Sequence, residues 1–119
     1  MAPGYLETFK TAYLAAALWT ATNEDGEPLD DTYSPEDFAP EALARATTDC
    51  EDFIKSCGRD LNGIDVEQAG HDFWLTRNGH GAGFRDRGLG ERGKRLTDAA
   101  HAYGSCDLYA GDDDLLYFE

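Results

Sequence analysis

An α+β fold, with helices packed on one face of a small antiparallel sheet, is predicted by three observations. Apolar residues recur at helical spacing in three segments, two β-prone runs flank an acidic turn near the end of the chain, and a further strand-like run precedes Asn78-Gly79. The 119 residues suit a single domain covering 1–119, long enough to bury a core. The predicted order is helix, helix, strand, helix, strand, strand.

The first helix is expected over residues 5 to 20, where Tyr5, Leu6, Phe9, Tyr13, Leu14, Ala17 and Leu18 recur at three- and four-residue steps, with Trp19 near its end. Residues 23 to 33 combine turn formers with five acids and predict an exposed loop. Ser34-Pro35-Glu36-Asp37 supplies a cap, a proline at the first helical position and an acid three residues after the cap, so a short helical turn starts there. Pro40 restarts the helix. Leu43, Ala46, Cys50, Phe53, Ile54, Cys57 and Leu61 form its apolar stripe, and Asn62-Gly63 ends it.

Beyond a loop through Asp65 and Glu67, residues 72 to 77 alternate, with Phe73 and Leu75 facing one way and Trp74 and Thr76 the other, which predicts a strand. Asn78-Gly79 predicts a hairpin turn, with Phe84 to Arg87 pairing back across it. Residues 89 to 103 predict a third helix closed by Gly104, its first turn weakened by Gly90 and Gly93. A hairpin of residues 106–110 and 115–118 around Gly111-Asp112-Asp113-Asp114 completes the chain.

Charge is strongly uneven. The net charge is −14; residues 1 to 72 hold sixteen acids and four bases, residues 73 to 105 three acids and six bases, and residues 106 to 119 five acids and no base. Phosphate repels the acidic blocks, so direct binding of duplex DNA through them is disfavoured. Carboxylates spread over a surface can instead imitate a phosphate backbone and be steered into a positive channel. The acids proposed to do this are Glu24, Asp25, Glu27, Asp30, Asp31, Glu36, Asp37, Asp112, Asp113 and Asp114. Plain turn chemistry and solubility are the competing explanation of the same residues.

No run approaches the roughly 20 apolar residues that cross a bilayer, and residues 1 to 7 lack the basic start of a secretion signal, so a soluble protein acting inside a cell is expected. Cys50 and Cys57 lie about 10.5 Å apart along a helix at 1.5 Å per residue, too far for a disulfide. With Cys106 alone elsewhere, buried reduced thiols are expected, with no metal and no cofactor.

The segment Gly70 to Gly88 holds two histidines, a tryptophan, three arginines and five glycines. His71, Asp72 and His80, with His101 distant, contain the groups of acid–base catalysis or a metal site, but their spacing matches no hydrolase or metal motif and no catalytic residue is assigned. Residues 79 to 83, helped by Arg77, Arg85 and Arg87, can wrap an anion with backbone amides, although the ending of a phosphate loop is missing. Trp74, Arg77, Arg85, Arg87 and Arg92 make an alternative basic face, with Trp74 able to stack a base. A glycine-shaped hairpin with a core tryptophan explains the segment without any ligand.

The run Ala69-Gly70-His71-Asp72-Phe73-Trp74-Leu75-Thr76-Arg77-Asn78-Gly79-His80-Gly81-Ala82-Gly83-Phe84, followed by Asp86-Arg87-Gly88-Leu89-Gly90, resembles a family of small acidic proteins encoded by tailed bacteriophages. The resemblance extends through Leu96-Thr97-Asp98-Ala99-Ala100, Tyr103-Gly104 and Asp107-Leu108-Tyr109, and more loosely to Tyr13-Leu14, Trp19 and Glu27-Pro28-Leu29-Asp30. This chain departs from the pattern at Arg85, where that family carries an aromatic residue. The resemblance implies a phage protein in the cytoplasm of a bacterial host and supplies no catalytic residues. Together with the charge it leads to the expectation of a non-enzymatic, anti-CRISPR-like inhibitor whose partner is a bacterial host protein, such as a CRISPR-Cas effector subunit. A phage nucleic-acid-binding or regulatory module using residues 73–95 is the alternative, and a small hydrolase or metal enzyme is a third.

Overall fold

The computed structural model describes residues 4–23, 25–79 and 83–119. Among these residues there are four helices, packed on one another, and a two-stranded antiparallel sheet that rests on them chiefly through α2: α1 (Tyr5–Thr20), α2 (Pro40–Leu61), α3 (Val66–Arg77), α4 (Glu91–His101), β1 (Leu108–Ala110) and β2 (Leu116–Phe118). Single 3-10 turns occupy Leu29–Asp31, Pro35–Asp37 and Phe84–Asp86. The expected α+β class, the first two helices, the turn at Ser34, the helix before Gly104 and the final hairpin are all present. Glu24 and His80, with Gly81 and Ala82, lie outside the described residues.

Residues 72 to 77 correct the expectation. They are the second half of α3, and the strand and its hairpin with residues 84 to 87 do not form; Phe84–Asp86 is instead a helical turn. The Asp65 side chain accepts a hydrogen bond from the Gln68 amide at 3.1 Å and starts the helix. Gly79, at φ +70°, stops it by turning its amide back to the Thr76 carbonyl at 3.1 Å. Asn78-Gly79 is thus a helix terminator and not a hairpin turn.

The strand-like pattern arises because α3 runs through the middle of the molecule. Asp72, Phe73, Trp74, Leu75, Thr76 and Arg77 are all buried, so no polar face marks a helical period. Its rings build the core: Phe73 stacks on Phe53 of α2 with centroids 4.1 Å apart and meets Tyr13 of α1 at 5.2 Å, while Trp74 meets Tyr13 edge-on at 5.3 Å. Such ring pairs add about 0.5–1.5 kcal/mol each beyond burial. The Trp74 indole also donates to the Thr20 hydroxyl at 2.8 Å, joining α3 to the end of α1.

The hairpin is attached to the helices by its second strand. Leu116 pairs in parallel with Phe38, the Ala39 amide donates to the Leu116 carbonyl at 2.9 Å, and Phe118 packs on Phe38 and Tyr13. This pairing places the hairpin beside the start of α2.

Gly70 sets how closely α1 and α3 approach. A Cβ there would lie 2.2 Å from the Phe9 carbonyl oxygen and 3.0 Å from the Ala12 methyl. Only a residue without a side chain fits between the backbones. Gly70→Ala is therefore expected to lower stability by about 1–3 kcal/mol through overpacking. Urea denaturation checks this, and an unchanged midpoint would contradict the packing.

Candidate functional site

The proposed basic face is divided between surface and interior: Arg85 and Arg87 are exposed and Arg92 is half-buried, but its other two members lie inside. Trp74 is buried, and the Arg77 side chain is only 2% exposed. Its guanidinium donates to the Tyr13 hydroxyl at 3.0 Å, Asp49 Oδ2 at 2.9 Å, the Gly104 carbonyl at 2.9 Å and the Tyr103 carbonyl at 3.1 Å. Its guanidinium carbon also lies 5.8 Å from the Phe73 ring centroid and 5.6 Å from that of Tyr103. Arg87 makes a two-pronged contact with Asp72 at 2.9 and 3.1 Å, and Arg92 donates to the Asn62 carbonyl at 2.7 Å. Arg85 is exposed. Replacing Arg77 with Met leaves an acid, a hydroxyl and two carbonyls short of donors, so a loss of about 3–5 kcal/mol is expected. Thermal and urea unfolding measure it.

The described members of the histidine constellation, His71, Asp72 and His101, are likewise dispersed, and His80 lies outside the described residues. Asp72, 0% exposed, is held by Arg87 and Gln68. Its neighbour His71 turns to a groove between α1 and α3 lined by Glu7, Thr8, Thr11 and Glu67, and His101 lines a different recess with Thr76, Thr97 and Arg85. Adjacent helical positions diverge by about 100°, so His71 and Asp72 cannot act on one atom. Most of the glycine segment proposed to wrap an anion lies outside the described residues. Cys50, Cys57 and Cys106 are buried and unbridged, and burial pushes each thiol up, away from the thiolate a nucleophile needs.

The acids behave differently, for the fold collects them at one end. Asp25 and Glu27 sit in a turn whose amides both donate to Asn23 Oδ1 at 2.9 Å. Asp30 and Asp31 follow on a helical turn anchored by buried Leu29. Glu36 is exposed, while Asp37 is half-buried and accepts from the Ser34 amide at 2.8 Å. Asp112, Asp113 and Asp114 form the hairpin loop, which the Phe38–Leu116 pairing brings alongside the Ser34 turn and the start of α2. Among the described residues, the ion pairs are Lys10–Glu7, Lys55–Glu51, Arg77–Asp49, Arg87–Asp72 and Arg95–Asp60, and none involves these acids. Arg92 and Arg95 gather instead around Asp60 and Asn62 at the far end of α2. The 22 residues of α2 put about 33 Å between its ends.

Three features of this end are not marked by any sequence motif. Trp19 and Tyr109 are the large hydrophobic residues most open to solvent, at 63% and 45%. A cleft of about 530 Å³ lies beside Tyr109, lined by Thr20, Ala21 and Thr22 at the end of α1, by Trp74 and Asn78, and by Cys106 to Tyr109 and Glu119 of the hairpin. Asp107 and Glu119 add two further exposed carboxylates. The exposure of Tyr109 is readable from strand alternation, since its neighbour Leu108 is buried.

Not all the acids are equally free. Asp113 accepts from the Leu115 amide at 3.1 Å and from the Tyr117 hydroxyl, so its role is to shape the loop, whereas Asp112 and Asp114 stand exposed on either side of it. The phenol holds the Asp113 carboxyl below the usual carboxylate range, and the carboxylate pushes Tyr117 up to about 12. The contact therefore persists to a lower pH than that at which an ordinary aspartate protonates and, on the alkaline side, is lost as pH rises through about 12. Asp113→Asn is expected to return the Tyr117 titration toward 10.0, read by ultraviolet or NMR titration. An unmoved titration would mean that the contact is absent in solution.

No protein-family model, curated protein or solved structure matches the chain.

Proposed function

We propose that the chain is a non-enzymatic inhibitor of a bacterial host-defence effector, anti-CRISPR-like in action, which occupies a nucleic-acid-binding surface with its acidic end. The observation that carries this reading is the concentration at one end of Asp25, Glu27, Asp30, Asp31, Glu36, Asp112 and Asp114, exposed and without an ion-pair partner among the described residues. A surface of this kind repels nucleic acid and attracts the proteins that bind it. The resemblance to small acidic proteins of tailed phages gives the reading its setting, the host cytoplasm.

Charge supplies speed and orientation more than residence time, so a tight inhibitor needs an apolar anchor as well. Tyr109, which lines the cleft, and Trp19, on the last turn of α1, are the candidates, and a tryptophan 63% exposed in a small domain is well suited to the centre of an interface. Capture from a bacterial lysate, followed by DNA-displacement assays on the captured protein and on purified CRISPR surveillance complexes, tests the reading. Displacement of bound nucleic acid is expected. Failure to displace it from the captured protein and from every complex would overturn the proposal.

Within that assay two variants separate the contributions. Trp19→Ala should weaken binding by about 30-fold or more, as expected for loss of an interface anchor worth at least about 2 kcal/mol, with the melting temperature little changed. The combined Asp30→Asn, Asp31→Asn, Asp112→Asn and Asp114→Asn variant should chiefly slow association and flatten its salt dependence. Binding kinetics at two ionic strengths distinguish the two.

A further inference from the structure

We propose that the outer edge of β1 is a docking site at which an extended, basic segment of a partner protein adds as a third strand. The inference rests on the inhibitor reading only for the sign of the partner's charge. The edge is defined by the hairpin's own pairing. The Glu119 amide donates to the Asp107 carbonyl at 2.9 Å and the Gly111 amide to the Leu115 carbonyl at 2.8 Å, and Tyr109 lies midway opposite Tyr117. In an antiparallel ladder the intervening residues, Leu108 and Ala110, therefore turn their amides and carbonyls away from β2. On the other strand the equivalent outward carbonyl of Leu116 is taken by Ala39. No bridge among the described residues reaches β1 on its open side.

The alternation of β1 specifies the incoming segment. Asp107 and Tyr109 share one face with Tyr117 and Glu119, and Tyr109 and Tyr117 are stacked at 5.8 Å. An added strand would bring every second side chain next to Asp107 and Tyr109, with Tyr117 and Glu119 one strand further in, which suits arginine through ion pairing and stacking on the ring. Its intervening side chains would lie beside Leu108 and Ala110, on the side that turns toward the core, which suits small apolar residues. The cleft against Thr20 to Thr22 borders the same strand and gives the segment room.

Charge also decides against a second copy of this chain as the occupant. Strand β1 has none of the lysine, proline or bulge that shields exposed edges. Two such edges meeting would bring Asp107, Asp112, Asp114 and Glu119 of each copy together. The acids thus repel self-pairing and attract a basic strand.

The test uses the full chain, isotopically labelled for NMR, with a seven-residue capped peptide alternating arginine and valine as the probe. Controls are a glutamate–valine peptide and an arginine–valine peptide N-methylated at every second residue. The arginine–valine probe is expected to shift the Leu108 and Ala110 amides and slow their hydrogen exchange at least tenfold. The glutamate peptide should not bind, and N-methylation of the donors facing β1 should weaken binding at least tenfold. Ala110→Pro, which removes an outward donor but no bond to β2, should do the same. Equal binding of the N-methylated and unmethylated arginine–valine peptides, shifts confined to the helices, dimerisation through β1, or no binding would each overturn the inference. If nucleic-acid displacement persists without peptide binding, the edge inference falls and the inhibitor reading stands. Peptide binding at β1 without displacement of nucleic acid removes the inhibitor reading and leaves the docking edge in place.

Discussion

A buried guanidinium constrains this fold more than any other group. Arg77 comes at the last residue of α3, where its charge is favourably placed at a helix C-terminus, and its side chain then enters the interior. Burying that charge is tolerable only because acceptors meet it from three other parts of the chain: Tyr13 on α1, Asp49 on α2, and the Tyr103 and Gly104 carbonyls after α4. One side chain thus holds four helices in register. The two carbonyls it binds lie just before β1, so the same contact determines where the hairpin leaves the helical layer. The cleft between the hairpin and the end of α1 follows from that placement.

The arginines committed in this way explain the outer charge distribution. Arg77, Arg87 and Arg95 each neutralise an aspartate of α2 or α3, and Arg92 caps carbonyls near the end of α2. Among the described residues, the loop after α1 and the hairpin turn receive no cation in return. Their acids are held by short-range backbone geometry, through Asn23, Ser34 and Asp113, against mutual repulsion that opposes compactness. A basic partner relieves this repulsion on binding. Internal stability and outward charge are therefore linked through the commitment of Arg77, Arg87, Arg92 and Arg95.

How far the sequence foretells this depends on whether each element keeps a wet face. The helix over Pro40–Leu61 does, and its stripe of Ala46, Cys50, Phe53, Ile54, Cys57 and Leu61 is visible at once because Glu51, Asp52 and Lys55 stand opposite. Helix α3 does not. With neighbours on nearly all sides its pattern resembles a buried strand, and Asn78-Gly79 reinforces that misreading because the same dipeptide serves hairpins and helix ends alike. Asp65 followed by Gln68 carries the correct signal, a cap three residues before its hydrogen-bonding amide. The acidic clusters are legible individually. Their convergence is not, since it depends on the pairing of Phe38 with Leu116 across more than half the chain, which no local pattern encodes.

The two exposed aromatics and the open strand make sense only beside this charge. An unshielded edge and a solvent-facing tryptophan ordinarily invite self-association. Here Asp107, Asp112, Asp114 and Glu119 surround the edge, so copies of the same chain meet like charge wherever the backbone is open. Repulsion between copies and attraction to a basic surface come from the same carboxylates. Selectivity can then rest on charge while tight contact rests on Trp19, Tyr109 and backbone pairing, a division in which the acids guide encounter and the apolar groups slow release.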